Sequence, residues 1–461
     1  MPARISVAGL CPSYFLSEEL DLDGQKRFRM AEPSCEISYD YFMLQFYPGL
    51  ASSIFCQSLY MITSLAFILL VIFVFSVLLL VYIYVGYPAL IVLMARFFAR
   101  PVKKKAVTPS VTIVIPTFNE EVVIEEKLEN TLQLEYPRDR LQILVCDDAS
   151  DDNTAEIVKA SAAKGVELSQ ATSRSGKVGG LNRALELATG EIFIIADADI
   201  LPSPDALREL VGNFGDETVG CVLAQTKMAS AGGETGESSG LYWRYEARIR
   251  QSESDIHSTV AATGHFMALR RKLLQPIPMH VILDDFYLAM MTIRQGYRVI
   301  SEPRAIAWER PTQSMGDEMT RRSRLIAGRF QIISMSRDYL PYLPALLQFE
   351  VISHKFLRLA IPHLMIAALL SNILLVLPGV SAGSSSFWRP ALSAALILQG
   401  TFYGLAIAGK FLFGRLSTRS KLIKVLMLPY FLCATNFAGF TGLADFVSGR
   451  RSVLWQQASR R

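Results

Sequence analysis

Three stretches decide the fold: VTIVIPTFNEE (111–121), LQILVCDDASDD (141–152) and IFIIADAD (192–199). Each is a short apolar run, rich in β-branched residues, that ends directly in polar or acidic residues. Helical patterns over 120–134 and 153–163 alternate with these runs, which predicts an α/β domain with a parallel sheet. Ligands of open α/β sheets bind outside the carboxyl ends of the strands. We therefore expect the three polar clusters to meet at one edge and form one site.

The acids at these strand ends predict a cation and a phosphorylated ligand. An Asp-x-Asp pair such as Asp197 and Asp199 suits Mg²⁺ or Mn²⁺, and Mg²⁺ usually completes its shell with substrate phosphates and water. The implied ligand is a nucleoside diphosphate derivative. The chain has no GxxxxGK[ST] loop, which argues against a P-loop NTPase. A single Asp-x-Asp is usually a solvated turn, so the prediction rests on the order and strand context of all three clusters.

Composition narrows the class of protein. The chain has 461 residues, of which 51% are hydrophobic and 19% charged, against about 25% charged in soluble globular proteins. This argues against disorder and against an ordinary cytosolic enzyme, whereas the polar, patterned centre argues against a pure transporter. The net charge of +4 gives no indication of a nucleic-acid partner. Six scattered cysteines without CxxC and five histidines without ligand spacing predict no zinc site and no disulfide framework.

Apolar runs flank the central region. No charged residue occurs over 41–95, and its densest part, 59–85, exceeds the roughly 20 residues that cross a bilayer. Arg96, Arg100 and the run 103–105 (KKK) follow, so the positive-inside rule places the central region in the cytoplasm. Three more apolar runs lie over 359–388, 390–409 and 425–444. The last of these contains Pro429 and Asn436, and the number of C-terminal spans is therefore two or three.

These patterns predict an integral membrane protein, placed in the bacterial inner membrane with its α/β domain in the cytoplasm. Membrane lipid is then a partner and nucleic acid is not. Segment 336–358 reads either as an amphipathic helix in the headgroup plane or as an ordinary surface helix. The predicted domains are an unassigned extension (1–56), an anchor (57–98), the α/β domain (107–335), the interfacial segment (336–358), a membrane region (359–447) and a basic tail (448–461).

Six motifs in this order carry a family resemblance: IVIPTFNEE, VCDDASDDNT, SGKVGGLNRAL, ADAD, LDDF and RRSR…GRFQ. From about residue 108 to 331 the chain resembles membrane-bound glycosyltransferase family 2, the group of cellulose, hyaluronan and poly-N-acetylglucosamine synthases. The resemblance implies an α/β GT-A domain (the nucleotide-diphospho-sugar transferase fold) inserted between transmembrane helices. It also implies metal-dependent, inverting transfer from a nucleotide-sugar donor, with a UDP-sugar favoured, to a glycan or lipid-linked acceptor in cell-surface polysaccharide or glycolipid synthesis.

The resemblance also assigns roles to residues. Asp285 corresponds to the catalytic base, and Asp197 and Asp199 to the pair that holds the donor ribose and the metal. The donor-binding residues would be Pro116, Thr117, Glu120, Asp148, Lys177, Asn182, Asp197, Arg322 and Arg324. The residues themselves support the base, because inverting transfer needs a carboxylate to accept a proton and an apolar setting raises its proton affinity. The alternative for Asp284 and Asp285 is a helix N-terminus, where acids are favourable in any case.

One departure from the family pattern leaves the product open. Processive members have Gln and Trp in QRxRW, where this chain has Arg321 and Leu325. One alternative is a processive synthase that also exports its polymer. An alternative from another class is a catalytically degenerate membrane scaffold or transport subunit, against which the presence of both Asp199 and Asp285 argues.

Overall fold

The computed structural model describes residues 16–20, 26–30, 48–228, 236–309, 315–378, 387–412 and 421–449. The strands are β1 (Leu16–Leu20), β2 (Lys26–Met30), β3 (Val111–Thr117), β4 (Leu141–Asp147), β5 (Val166–Gln170), β6 (Ile192–Ala196), β7 (Ile200–Pro202), β8 (Val219–Met228), β9 (Phe266–Arg270) and β10 (Arg298–Glu309). The helices are α1 (Pro48–Val81), α2 (Tyr87–Phe98), α3 (Ile124–Leu132), α4 (Thr154–Ala160), α5 (Gly176–Leu187), α6 (Ala206–Val211), α7 (Gly236–Ile256), α8 (Asp284–Arg294), α9 (Met315–Ser334), α10 (Ala345–Glu350), α11 (Ile361–Val376), α12 (Arg389–Leu412) and α13 (Lys421–Val447).

The chain divides into two units, residues 1–74 with 369–396 and residues 75–368 with 397–461. Within the first, β1 and β2 form an antiparallel pair, and Ala66, Leu69 and Leu375 share an apolar cluster. The second unit contains the α/β domain.

An eight-stranded sheet with the order β5-β4-β3-β6-β9-β8-β10-β7 forms the α/β domain. The strands β5, β4, β3 and β6 are parallel, as the alternating pattern predicts. β9 runs antiparallel between β6 and β8, and β7 pairs antiparallel with β10. The second half of the sheet is therefore mixed, and its strand β8 runs from Val219 to Met228.

Both faces of the sheet are covered, which explains why its central strands read as continuous apolar runs. Every residue of β3 is buried. Ile113 and Leu128 of α3 belong to the core on one face, whereas Val114 and Leu181 of α5 belong to the core on the other. Successive side chains of β3 point to opposite faces of the sheet, so the strand contributes to both cores. The helices α3 and α5 therefore pack on opposite sides of the sheet.

Two predicted helices are shorter than their patterns. α3 begins at Ile124 rather than at 120, because the amides of Val123 and Ile124 first bond the carbonyl of Glu120 in a turn. α4 ends at Ala160, and a short 3₁₀ turn leads to Gly165, which has a positive φ of 87°. Glycine adopts this left-handed conformation without steric cost.

Among the described residues, three helices are long and apolar enough to cross a membrane: Thr63–Phe98, Ala345–Val376 and Arg389–Phe411. The first passes through a π-helical turn at Tyr82–Gly86, just before Pro88. The second begins inside the segment 336–358 that was predicted to be interfacial. It runs through α10, a π-helical turn, a 3₁₀ turn and α11.

α13 is a continuous helix through Pro429 and packs against α9, where Ile326 approaches Gly442 closely. Most of the basic tail lies outside the described residues.

A substitution at Gly190 tests how tightly the connection between α5 and β6 packs against β3. A Cβ at Gly190 would lie 2.5 Å from the backbone nitrogen of Thr112 and 2.5 Å from the backbone carbon of Val111. Because β3 is a central strand and cannot yield, we expect Gly190→Ala to cost about 1–3 kcal/mol of stability. The measurement is the thermal unfolding midpoint of the detergent-purified protein. Gly400→Ala is the control, since nothing lies within 4 Å of a Cβ there. Equal midpoints for the two variants would contradict the packing.

Candidate active site

The polar clusters after β3 and β4 meet at one edge of the sheet, as predicted. The amide of Asp148 donates to the carbonyl of Thr117 at 2.9 Å, and the amide of Asn119 donates to Ser150 Oγ at 2.9 Å. Asn119 and Ala149 both have positive φ, 55° and 59°. For alanine this conformation is strained, and such strain is typical of functional sites. Both turns are thus held in defined conformations at the mouth of the site.

Asp148 ties the end of β4 to the start of α5. Its Oδ1 accepts from the amide of Ser175 at 2.7 Å, and its Oδ2 accepts from the amide of Gly176 at 2.8 Å. Arg174 stacks over the ring of Phe118, with its guanidinium carbon 3.5 Å from the ring centroid. The carboxylate therefore positions the helix that carries Lys177. A direct contact of Asp148 with a donor stays a prediction.

Lys177 connects two of the predicted acidic motifs. Its Nζ lies 2.8 Å from Asp197 Oδ1 and 3.3 Å from Asp284 Oδ2. Burial alone would lower the pKa of Lys177, but Asp197, Asp284 and Asp285 raise it above its ordinary value. A charged ammonium therefore bridges the ADAD and LDDF motifs, which are 87 positions apart when counted from Asp197 to Asp284.

Asp284 and Asp285 form the first turn of α8, so the helix N-terminus is also observed. Asp285 Oδ2 accepts from the amide of Gly264 at 3.1 Å, and Oδ1 accepts from the amide of Phe286 at 2.7 Å. Burial raises the pKa of Asp285, Asp284 raises it further, and Lys177 opposes both. A fixed carboxylate with raised proton affinity has the properties of a general base.

The loop before Asp284 is pinned from two helices. Gln331 of α9 accepts from the amide of Ile282 at 2.9 Å and donates to the carbonyl of His280 at 2.6 Å. Asn182 of α5 donates to the carbonyl of Ile277 at 2.9 Å and accepts from its amide at 2.7 Å. The amide of Asn182 is thus engaged with the protein backbone, and its donor-binding role stays a prediction. Sequence reasoning gave no role to Gln331, although GRFQ contains it.

A buried lysine lies behind the Asp-x-Asp pair. Lys127 of α3 is fully buried, and its Nζ donates to the carbonyl of Ile200 at 2.5 Å. Burial lowers the pKa of Lys127 to about 8, although Asp197 and Asp199 act to raise it. Sequence reasoning missed Lys127, because a lone lysine in an amphipathic helix reads as a surface residue.

The remaining predicted donor-binding residues fall into two places. Pro116, Thr117 and Glu120 are buried at and just beyond the end of β3. Arg322 and Arg324 are half-buried on α9.

A second cluster of polar side chains surrounds Glu309, next to the site described above. Arg321 Nη1 lies 3.1 Å from Glu309 Oε1, and His265 Nδ1 lies 3.8 Å from Glu309 Oε2. The carbonyl of His265 accepts from the amide of Asp197 at 3.2 Å, so this group is adjacent to the Asp-x-Asp turn.

A divalent ion fits this donor set as a partner of the substrate. No group of three His, Cys, Asp or Glu side chains with metal-ligating geometry occurs in the part of the chain that the structure describes. Asp197 and Asp199 supply one pair of carboxylates, which matches the one or two that Mg²⁺ takes when substrate phosphates complete its shell.

Comparisons with known proteins agree with this geometry. Residues 112–277 match the model of glycosyl transferase family 2. A mannosyltransferase from Pyrobaculum calidifontis, solved with GDP-Man and Mn²⁺, is 26% identical with a TM-score of 0.62, over 82% of this chain and 99% of that one.

Curated relatives match over shorter parts. The Bacillus subtilis protein "Probable glycosyltransferase YdaM" is 28% identical over 49% of this chain, and the chain spans 56% of its length. The beta-monoglucosyldiacylglycerol synthase of Trichormus variabilis is 35% identical over 29% of this chain and 30% of its own. The poly-beta-1,6-N-acetyl-D-glucosamine synthase of Staphylococcus aureus is 23% identical over 48% of this chain and 55% of its own. The chain thus spans about half or less of the length of these relatives.

The fold and the family match define the class of the central domain: it has the GT-A fold, as predicted. Residues 112–277 match glycosyltransferase family 2, which agrees with the resemblance of the motifs.

The charges around Asp285 predict opposite shifts in the pH dependence of transfer. A general base works deprotonated, so kcat/KM should rise with pH through the raised pKa of Asp285. Asp284→Asn removes a like charge and should move this acidic limb to lower pH. Lys177→Met removes an opposite charge and should move it to higher pH. The measurement is kcat/KM against pH for the three proteins. Limbs that coincide, or that move in the same direction, would contradict the assignment.

Proposed function

We propose that the protein transfers a sugar, with inversion, from a nucleotide-sugar donor to a membrane-associated acceptor. The role would be in cell-surface polysaccharide or glycolipid synthesis. The observation that supports this best is the half-buried Lys177 bridge between Asp197 and Asp284. The single side chain of Lys177 contacts both the ADAD motif, which is expected to bind the donor, and the LDDF motif, which is expected to activate the acceptor. A site of this kind can hold both substrates together, which converts a bimolecular reaction into a reaction of oriented groups.

The proposed reaction assigns one task to each side of the bridge. Asp285 accepts the proton of the acceptor hydroxyl as its oxygen attacks the anomeric carbon. The bond from that carbon to the diphosphate oxygen breaks, and the diphosphate leaves with the bonding electrons. Lys177 and the arginines of α9, Arg322 and Arg324, stabilise the negative charge that develops on the leaving group.

The metal requirement belongs to the same proposal. Asp197 and Asp199 would hold Mg²⁺ or Mn²⁺, which when bound would stabilise the leaving diphosphate as a Lewis acid. The Pyrobaculum calidifontis mannosyltransferase was solved with Mn²⁺ and GDP-Man, which supports a divalent ion and leaves the nucleotide base open between uridine and guanosine.

The membrane setting supports a membrane-held acceptor. Candidate spans lie on both sides of the α/β domain in the chain, at Thr63–Phe98 and Ala345–Val376. The basic run after the first span supports a cytoplasmic domain at the bacterial inner membrane. One relative is named for a glycolipid and another for a polysaccharide, so a lipid-linked or glycan acceptor suits both names. Processive synthesis remains the alternative, with Leu325 in place of the expected tryptophan.

Asp199→Ala tests the donor and metal site. Membranes with the protein are supplied with radiolabelled UDP- and GDP-sugars, with and without EDTA. We expect metal-dependent sugar transfer by the unaltered protein and loss of turnover and of Mn²⁺-dependent nucleotide binding in the variant, because metal and diphosphate bind as one unit. The exposed Asp139 provides the control variant, Asp139→Ala. Metal-dependent turnover that survives Asp199→Ala would remove this pair from the site, and metal-independent transfer would overturn the metal requirement.

A further inference from the structure

A buried ionic cluster lies outside the catalytic site, and we refer to it as the His354 cluster: His354, Glu246, Glu253, Tyr87 and Arg358. His354 is 1% exposed, and its Nδ1 lies 2.5 Å from Glu253 Oε1, while its Nε2 lies 3.2 Å from Glu246 Oε2. Each ring nitrogen thus faces a carboxylate oxygen of a different acid, so the imidazole is clamped between Glu253 and Glu246.

The His354 cluster joins α7 to helices on both sides of the α/β domain in sequence. The hydroxyl of Tyr87, at the start of α2, donates to Glu253 Oε1 at 2.5 Å. Arg358, three residues before α11 begins at Ile361, donates to Glu246 Oε1 at 2.5 Å. Tyr87 belongs to the first candidate span, and His354 and Arg358 belong to the second. Both apolar helices therefore engage Glu253 of α7, and the second also engages Glu246.

The second oxygen of Glu253 extends this contact toward the base. Glu253 Oε2 accepts from Thr259 Oγ1 at 2.7 Å and from the amide of Val260 at 3.3 Å. These residues begin the loop 259–264, whose last amide, that of Gly264, donates to Asp285 Oδ2 at 3.1 Å. A continuous path of polar contacts and one short loop therefore runs from His354 to Asp285.

The end of this path has little free space. A Cβ at Gly264 would lie 3.3 Å from the Cβ of Asp285 and 3.4 Å from Lys177 Nζ. A shift of the loop therefore either breaks the hydrogen bond on Asp285 or brings backbone into the site. Asp148 and Lys177 are held by α5 instead, so the donor side does not depend on Glu253 in the same way.

We propose that His354 is a positioning residue for transfer. Its ring, clamped by Glu246 and Glu253, fixes Glu253 and through it the loop 259–264, and so holds the Gly264 amide on Asp285. Seating of the two apolar helices is thereby coupled to the geometry of the base. This inference rests on the proposed function, in which Asp285 is the base.

The test compares His354→Gln with a neighbouring control. Glutamine keeps hydrogen-bonding capacity but loses the ring whose two nitrogens contact both acids. We expect kcat for transfer to fall by roughly tenfold to a hundredfold, because small misplacement of a catalytic group has effects of this size. The Kd of Mn²⁺ with UDP or GDP should stay within about twofold. Ser353→Ala is the control, since Ser353 bonds Tyr82 and lies outside the path.

A second measurement does not depend on activity. Hydrogen–deuterium exchange of the peptide that covers 259–264 should accelerate by roughly tenfold in His354→Gln and stay unchanged in Ser353→Ala. Tyr87→Phe removes one bond to Glu253 and should give a smaller change in the same direction, which keeps the test valid if His354→Gln does not fold. Unchanged exchange in both cluster variants would overturn the inference, as would equal losses of kcat and nucleotide affinity. An unaltered protein that exchanges as expected but transfers no sugar would instead refute the proposed function.

Discussion

The Lys177 ammonium is the contact on which the rest of the site depends. Two carboxylates from distant motifs, Asp197 and Asp284, lie within 3.3 Å of it in a half-buried setting. Without this cation, Asp284 and Asp285 would repel the Asp-x-Asp turn across the site, and burial would favour protonation of Asp285 more strongly. The ion bridge therefore allows an acidic edge to exist before any metal or diphosphate binds. The position of Lys177 depends in turn on Asp148, which accepts a hydrogen bond from the amide of Gly176, the first residue of α5.

The strand-end acids could be predicted because their signal is local. An apolar run that ends in Asp at Asp147 or Asp197 predicts both a strand and its carboxyl end, and parallel neighbours bring such ends together. The sheet from β5 to β6 follows this pattern. The insertion of β9 antiparallel between β6 and β8 could not be predicted, because strand pairing across more than 70 residues leaves no periodicity in either segment.

Other features of the site have no sequence signal of their own. Lys127 is one lysine in an amphipathic helix, and only the fold shows that it is buried at the carbonyl of Ile200. Asn182 is predicted from its motif to face the donor, a role that stays a prediction, and only the fold shows that its side-chain amide bonds the backbone of Ile277. Gly264 contributes to the site through its backbone amide, which carries no side-chain signal. It also leaves space beside Asp285 that the Cβ of any other residue would fill. Motifs thus predict which side chains gather, and packing determines which atoms are available for chemistry.

The central claim is that Asp285 acts as the base and does not bind the donor. The most direct measurement is sugar transfer and Mn²⁺-dependent nucleotide affinity for Asp285→Asn, which keeps the size of the side chain and removes the proton acceptor. The account predicts that transfer falls by roughly 10²–10⁴-fold, the usual contribution of general-base catalysis, while nucleotide affinity stays within about twofold. Transfer that survives while nucleotide affinity is lost would show that Asp285 is a donor ligand and would contradict the account.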